Sequence, residues 1–131
     1  MNIDEMPAGN ELDRLVAEKV MKWRRERNWK RRGWWSAKDP LRAERGNGPH
    51  NYLVRHSEDW HPSADIVAAW EVIEKMIENK KWEHFSLVRW YDRGQFWWVS
   101  GATDDDEPTH SVDSETPMLA ICRAALKAVG K

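Results

Sequence analysis

Apolar residues recur at three- and four-residue intervals in three segments of the chain, 10–23, 62–81 and 116–130. The first carries Leu12, Leu15, Val16, Val20 and Trp23; the second carries Ile66, Ala69, Trp70, Ile73, Met76 and Ile77; the third carries Met118, Ile121, Cys122, Ala125, Leu126 and Val129. Such spacing lines up one face of an α-helix, which is then the face expected to be buried. The pattern predicts three helices, with Trp23 and Trp70 on their buried faces.

Residues that favour helix ends stand at the borders of these segments. Asn10, Ser63 and Thr116 are all N-cap types, and Pro117 suits a first helical position. Gly130 is a residue that ends helices. We therefore expect Asn10, Ser63 and Thr116 to cap the three helices.

Between the second and third helices the pattern changes to that of β-strands. The stretch HFSLVRWYDRGQFWWVSG, residues 84–101, has two runs of aromatic and β-branched residues around the turn sequence Asp92–Gly94. Both faces of each run are apolar, so we expect helices to cover this hairpin on both sides. Tyr52–His56 is predicted as another short strand and Ser111–Asp113 as an edge strand.

Three helices around a small antiparallel sheet predict an α+β protein, a three-layer α-β-α sandwich. The chain has 131 residues, which is the size of one domain with a core of its own. We expect a single domain over 1–131 with a basic, Trp-rich insertion at about 24–60, where the periodicity is weakest.

Composition excludes several classes of protein. No apolar run approaches the roughly 20 residues that span a bilayer, and the first residues, MNIDEMPAGN, lack the basic and apolar regions of a signal peptide. The single cysteine, Cys122, excludes an internal disulfide framework and is typical of a reducing compartment. We therefore expect a cytoplasmic protein.

Charge is unevenly distributed along the chain. Lys22–Arg45 contains ten lysines and arginines and three acidic residues, a net charge of +7, although the whole chain carries −1. Residues 102–115 contain six acidic residues and no lysine or arginine. A chain with this division can bind an anion on one face, or pair its two regions within or between subunits. Complementary charge and the abundance of tryptophan favour a homo-oligomer.

Three blocks of the sequence carry a resemblance to a known family. ELDRLVAEKVMKW near the start, PSADIVAAWEVIEKM in the middle and TPMLAICRAALKAV near the end resemble the phage ABA sandwich domain family of bacteriophages and prophages. The resemblance implies an α-β-α sandwich and a viral gene, and it implies little about activity because the family has no assigned chemistry. Lys22–Trp60 departs from the family pattern, since it is longer and more basic than the family's usual connection.

The candidate binding surface lies in this departing segment, around WKRRGWW at 29–35. Indoles offer a large contact area at low entropic cost, and arginines bind phosphate in a bidentate manner. The candidate ligand-binding residues are Trp29, Arg31, Arg32, Trp34, Trp35 and Trp60. The alternative is that these indoles are core and the cations merely flank them.

Residue patterns for catalysis or metal binding are lacking. The sequence has no Walker loop, no dinucleotide fingerprint, no nucleophile elbow and no zinc-protease motif. The gaps between His50, His56 and His61 match no common zinc motif, and Cys122 falls on the predicted buried stripe of the last helix. The acidic stretch 104–107 lacks the glycine of a calcium loop. We therefore expect no catalytic residue, no metal and no cofactor, and a protein that is not an enzyme.

The first functional hypothesis is a phage-encoded binding protein that sequesters a nucleotide-type immune signal in the cytoplasm of the infected bacterium, a counter-defence role in the host–virus interaction. Stacking indoles and phosphate-binding arginines motivate the ligand, and the family resemblance supplies the context. The alternative is an inhibitor that binds a host protein through a Trp/Arg surface. Nucleic-acid binding ranks last because the rest of the chain is strongly acidic. No membrane association is expected.

Overall fold

The structure of the chain is a computed structural model, and it describes residues 3–26, 32–38, 51–90, 96–103, 108–111 and 114–130. Within these ranges lie three α-helices: α1 (Asn10–Lys19), α2 (Ile66–Glu78) and α3 (Pro117–Val129). Single turns of 3-10 helix occupy Ile3–Glu5 and Ser57–Asp59. The predicted acidic stretch 104–107 and the hairpin turn Asp92–Gly94 lie outside the described residues.

The described strands form two antiparallel sheets of three strands each. The first sheet contains β1 (Arg24–Arg25), β2 (Trp34–Lys38) and β3 (Asn51–His56), and the second contains β4 (His84–Trp90), β5 (Phe96–Ala102) and β6 (Thr109–His110). In both sheets the spatial order of the strands is their order in the chain. The α+β sandwich class is confirmed, but the prediction of one small sheet was wrong because the segment after α1 forms a sheet of its own.

The first helix is shorter than its apolar pattern predicted. It ends at Lys19, and Lys22 adopts a left-handed backbone with φ of 62°, which turns the chain into β1. Trp23 is nevertheless buried, as predicted, and its amide donates to the Ala17 carbonyl at 2.9 Å. Trp23 is therefore buried by the turn that follows α1 and not by a continuation of the helix, as its spacing had predicted.

At its N-terminus α1 differs from the sequence prediction in its cap. The cap residue is Gly9, and no side chain accepts a hydrogen bond there, so Asn10 is the first helical residue. Gly9 has φ of 152°, a backbone that favours glycine. The Gly9 amide donates instead to the Ser63 hydroxyl at 3.0 Å, which ties α1 to the chain entering α2.

The predicted hairpin is confirmed. Its strands β4 and β5 pair in continuous register from His84 opposite Ala102 to Trp90 opposite Phe96. Strand β6 lies two residues earlier than the predicted edge strand, and Ser111 continues the pairing through its amide to the Val99 carbonyl. The hairpin packs against α3 through β5.

The last helix, α3, lies at the centre of the fold. It contacts α1, α2, β5 and β6, and every residue from Leu119 to Leu126 is buried. Thr116 caps it as predicted, because its hydroxyl accepts from the Leu119 amide at 3.1 Å, and Gly130 is the C-cap. Since the surrounding elements all rest on α3, its sequence is apolar on more than one face.

The middle helix, α2, is present as predicted but faces in another direction. Its buried residues are Ala68, Ala69, Val72, Ile73 and Met76. Trp70 is 49% exposed, with Ile66 and Ile77 also exposed, so the prediction of a buried Trp70 was wrong. The small residues Ala68 and Ala69 let α2 approach the alanine-rich α3, whereas a tryptophan does not fit between two close helices.

The cap of α2 also differs from the prediction. Asp65 is the N-cap, and its carboxylate accepts from the Val67 amide at 3.1 Å. Ser63, the predicted cap, is buried and binds Gly9 and Asp13 instead. Among the described helices, none is long and apolar enough to cross a membrane.

Candidate functional site

A cleft of about 390 Å³ opens where α1, the first sheet and the segment Ser57–His61 meet. The residues that line it are Asn10, Asp13, Arg14, Arg25, Trp35, Ser57, Glu58, Trp60 and His61. Its volume lies in the range of small-molecule sites, and its wall combines indoles with charged groups. These two properties make it the candidate functional site.

Two tryptophans form the inner wall of the cleft. Trp35 on β2 is 3% exposed and Trp60 is 2% exposed, so both belong to the core while a small part of each borders the cleft. Trp60 packs on Trp23 with ring centroids 4.7 Å apart, and the Arg25 guanidinium lies 5.7 Å from the Trp35 ring centroid. The indoles are therefore fixed in position before any ligand arrives.

The backbone of β2 and β3 is irregular next to the cleft. Gly33 precedes β2 with φ of +87°, and a β-carbon there would lie 2.7 Å from the His56 ring. Between Trp35 and Ser36 the register of β2 against β3 shifts, which leaves Val54 as the extra residue of a β-bulge. Bulges bend a strand and re-aim its side chains, here next to Trp35.

A buried carboxylate holds the floor of the cleft. Asp13 is buried, and its Oδ1 accepts a hydrogen bond from the Ser63 amide at 2.8 Å. Its Oδ2 lies 3.3 Å from His61 Nδ1. Since Asp13 is on α1 and its partners precede α2, this carboxylate joins two parts of the chain and fixes the imidazole at the cleft.

Both ring nitrogens of His61 face hydrogen-bond acceptors. Nε2 lies 2.8 Å from the Glu58 carbonyl oxygen, and Nδ1 faces the Asp13 carboxylate. A neutral imidazole has one N–H and satisfies only one of these acceptors, whereas the imidazolium satisfies both. The pKa of His61 is accordingly raised above 6.5, chiefly by the Glu58 carbonyl and further by Asp13, with partial burial acting in the opposite direction. The ring is therefore biased toward its cationic form.

Two exposed arginines stand at the mouth of the cleft. Arg14 lies on α1 and Arg25 on β1, and neither forms an ion pair with another residue that the structure describes. The acidic residues that line the cleft are Glu58, which is exposed, and Asp13, which is buried. The cleft is thus lined by two guanidinium groups and by the imidazole of His61.

The structure brings only part of the predicted site together. Trp35 and Trp60 line the cleft. Trp34 is half-buried with its ring edge-on to His56 at 5.4 Å, Arg32 is exposed, and neither is among the lining residues. Trp29 and Arg31 lie outside the described residues.

Sequence reasoning missed the charged half of the site. The site that the sequence predicts does not include Arg14, Arg25, Asp13 or His61, and the spacing of His61 from the other histidines argues only against a zinc site. One signal in the sequence pointed to Asp13: it stands between Leu12 and the rest of the buried stripe, where a charged residue needs a partner. The identity of that partner, 48 residues away, has no local signature.

Other chemically active side chains are placed in the core. Cys122 is fully buried in α3, and burial raises the pKa of its thiol well above the usual value. It is therefore protonated at neutral pH and shielded from solvent, as its position on the apolar stripe predicted. Within the described ranges, no three His, Cys, Asp or Glu side chains gather as metal ligands do.

A second cleft, of about 380 Å³, lies beside α3 and has a different character. Arg123 borders it but is buried, and its guanidinium donates to the Ser114 hydroxyl at 3.0 Å and to the Met6 carbonyl at 2.8 Å. Burial lowers the pKa of Arg123, while neighbouring acids oppose that effect. Because Glu5 and Glu115 also line this cleft, it suits an anion less well than the first.

The comparison with protein families supports the resemblance seen in the three sequence blocks. The model of the phage ABA sandwich domain matches residues 14–126, which is most of the chain and includes the basic segment after α1. No curated protein and no solved structure matches the chain. The arrangement of helices around small antiparallel sheets fits the sandwich that the family is named for. The chain belongs to the phage ABA sandwich domain family.

Proposed function

We propose that this phage-family protein binds a compact anionic ligand of the nucleotide type, without transforming it, in the cleft between α1 and the first sheet. One observation carries the proposal: Arg14, Arg25 and His61 surround a single cleft whose inner wall is made of the indoles Trp35 and Trp60. Cationic donors of this kind recognise phosphate, and indoles provide flat apolar contact for a ring.

The arginines are available for a ligand. A guanidinium that is already paired with a carboxylate has little to gain from a phosphate, but Arg14 and Arg25 have no such partner in the described part of the chain. Hydrogen bonds between charged groups are about twice as strong as neutral ones, and more so where a cleft excludes water. We therefore assign the phosphate-binding role to this pair, which lines the cleft, rather than to Arg32, which does not.

The indoles have a supporting role. Because Trp35 and Trp60 are almost wholly buried, each presents a limited contact surface rather than an open stacking platform. Their value lies in rigidity, since a wall that is fixed in advance loses no side-chain entropy on binding. The phage family supports a role in an infected cell, and for a binding protein we propose that this role is to sequester a nucleotide signal of the host defence.

Isothermal titration calorimetry against a panel of cyclic nucleotides, linear oligonucleotides and ADP-ribose-type molecules tests the proposal. We expect one ligand class to bind at low micromolar concentration or tighter, and to be recovered chemically unchanged. Arg25→Ala and Arg14→Ala should each weaken binding by about tenfold or more, as the loss of a charge-assisted contact does.

Arg24→Ala is the matched control. Arg24 and Arg25 are consecutive exposed residues of β1, so they point to opposite faces of the strand, and only Arg25 lines the cleft. Equal losses for the two variants would mean that general positive charge, not the cleft, attracts the ligand. Absence of binding across the panel, or turnover of the ligand, would contradict the proposal.

A further inference from the structure

Glu58 is the acidic residue of the cleft that an anion site alone does not explain. Asp13, the other acid of the lining, is buried and bound, since it accepts from the Ser63 amide and faces His61. Glu58 is exposed, and its carboxylate has no hydrogen bond or ion pair with any residue that the structure describes. Because a free carboxylate repels a phosphate, Glu58 favours binding only if it meets a different part of the ligand.

The backbone holds Glu58 in a fixed position at the cleft. Its amide donates to His56 Nδ1 at 3.2 Å, and its carbonyl oxygen lies 2.8 Å from His61 Nε2. One residue earlier, the Ser57 amide donates to the Gly33 carbonyl at 2.7 Å, which ties the same turn to the chain before β2. Both main-chain polar groups of Glu58 are therefore bound before a ligand arrives, and binding has to order only its side chain.

The first sheet separates Glu58 from Arg25. The strand order is β1-β2-β3, so Arg25 on β1 lies beside one edge of β2, and the turn Ser57–Asp59 follows β3 beside the other edge. Neighbouring strands are about 4.8 Å apart, so the main chains of β1 and β3 lie about 10 Å apart. Trp35 stands between them, because it pairs with Arg25 on one side and with Arg55 on the other. The cleft thus has a guanidinium and a carboxylate on opposite sides of an indole.

This arrangement suits a ligand that is anionic at one end and has N–H donors at the other. An ionised carboxylate only accepts hydrogen bonds, and its two oxygens suit a parallel pair of donors. The base-pairing edge of guanine offers such a pair, a ring N–H beside an exocyclic amino group. Adenine presents a ring nitrogen acceptor beside its amino group, so a carboxylate would face a lone pair there, which costs binding free energy. The carboxylate therefore favours guanine over adenine.

We propose that Glu58 determines the base specificity of the cleft and that the ligand is a single guanine-type nucleotide. The inference rests on the anion site proposed above: the phosphate lies at Arg25 and the guanine edge at Glu58. The cleft volume of about 390 Å³ is near the lower end of the range of about 300–1,000 Å³ for small-molecule sites, which favours one nucleotide over a linked pair.

Calorimetry with the monophosphates of guanosine, inosine and adenosine tests the assignment. The parent chain should bind the guanine nucleotide about tenfold or more tightly than the adenine nucleotide. The inosine nucleotide should fall between them, because its base keeps the ring N–H and lacks the amino group. Glu58→Gln should abolish the preference, since an amide offers one acceptor oxygen where the carboxylate offers two.

Asp59→Asn is the matched control. Asp59 is the next residue of the same turn and is also exposed, but it does not line the cleft. Both variants remove one negative charge from the turn, and both should keep the melting temperature of the parent. Asp59→Asn should leave the guanine preference unchanged. An equal gain in affinity for all three nucleotides in Glu58→Gln would overturn the proposal, because Glu58 would then act only as a charge.

Two further outcomes separate this inference from the proposed function. If the three monophosphates bind the parent equally and Arg25→Ala weakens them all, the role of Glu58 is overturned while the anion site stands. If no nucleotide of any class binds the parent chain, both are overturned.

Discussion

Trp60 and Trp70 stand ten residues apart, on either side of the start of α2, and their environments are opposite to those that the sequence pattern predicted. Trp60 comes from an irregular segment, yet it is 2% exposed and packs against Trp23. Trp70 comes from the most regular helix, yet it is 49% exposed. One indole therefore helps to build the cleft, and the other lies on the exposed side of α2.

Apolar periodicity therefore predicts the presence of a helix more reliably than it predicts which face of the helix is buried. Helix α2 is apolar around much of its circumference, so several directions satisfy the spacing equally well. The packing partner decides among them, and alanine-rich α3 selects the face with Ala68 and Ala69. Trp60, without a periodic neighbour, is buried by residues distant in the sequence.

Replacing the two indoles separately is the strongest test of this comparison. Trp60→Ala should lower the free energy of unfolding by about 3–5 kcal/mol, as deletion of a buried large aromatic side chain does. Trp70→Ala, as its partner experiment, should cost less than about 1 kcal/mol because half of the side chain is already in water. Urea denaturation measures both losses. Similar losses of unfolding free energy for the two variants would contradict the different burial of Trp60 and Trp70.

A third indole sharpens the comparison at the second sheet. Trp82 is buried directly after α2, and a β-carbon on Gly101 of β5 would lie 2.2 Å from its ring. Gly101→Ala should therefore destabilise the fold by about 1–3 kcal/mol, the usual cost of overpacking a core. Thermal unfolding measures the loss. In a Trp82→Leu background, Gly101→Ala should destabilise the fold less than it does in the parent chain, because the smaller side chain leaves room for the β-carbon. An equal cost in both backgrounds would mean that the Trp82 ring moves aside freely.

The smallest expected effect concerns the charged half of the cleft. Because the folded-state pKa of His61 is raised, its contribution to stability is complete below the unfolded pKa near 6.5 and is lost as pH rises through the folded value. The side chain is 39% exposed, so solvent screening limits this term to well under about 1 kcal/mol. Urea midpoints from pH 5.5 to 8.5 should fall more steeply for the parent than for His61→Gln, and parallel curves would contradict the assignment. Ligand affinity should decline over the same interval, since the cleft loses a positive charge.

Local sequence signals predicted the elements that depend on local physics. Thr116, Pro117 and Gly130 mark α3 correctly because capping acts within one turn, and the 84–101 hairpin follows from β-propensity on both sides of a turn sequence. The first sheet was missed over Arg24–Arg25, where charged residues do not alternate with apolar ones. Its strands exist because they pair with one another, which is a non-local cause.

The candidate site was predictable only in its aromatic half. Trp35 and Trp60 were candidates because neither lies on a predicted helix or strand face that would account for its large apolar side chain. Asp13 and His61 are 48 residues apart in the chain, and the sequence around neither residue predicts their contact. Arg25 is distinguished from Arg24 only by the face of β1 on which it lies.

The hydrogen bonds that α3 makes to the start of the chain have a consequence for the order of folding. The Arg123 guanidinium reaches the Met6 carbonyl across 117 residues, and Lys127 binds Asp4 at 3.0 Å. Closing so long a loop costs entropy before any contact forms, so these bonds belong to a late step. During synthesis α1, α2 and the second sheet leave the ribosome while α3, which all three contact, is still missing. Nascent chains therefore hold Val16, Ile73 and Val99 without their final partner, and chaperone demand should end when α3 emerges.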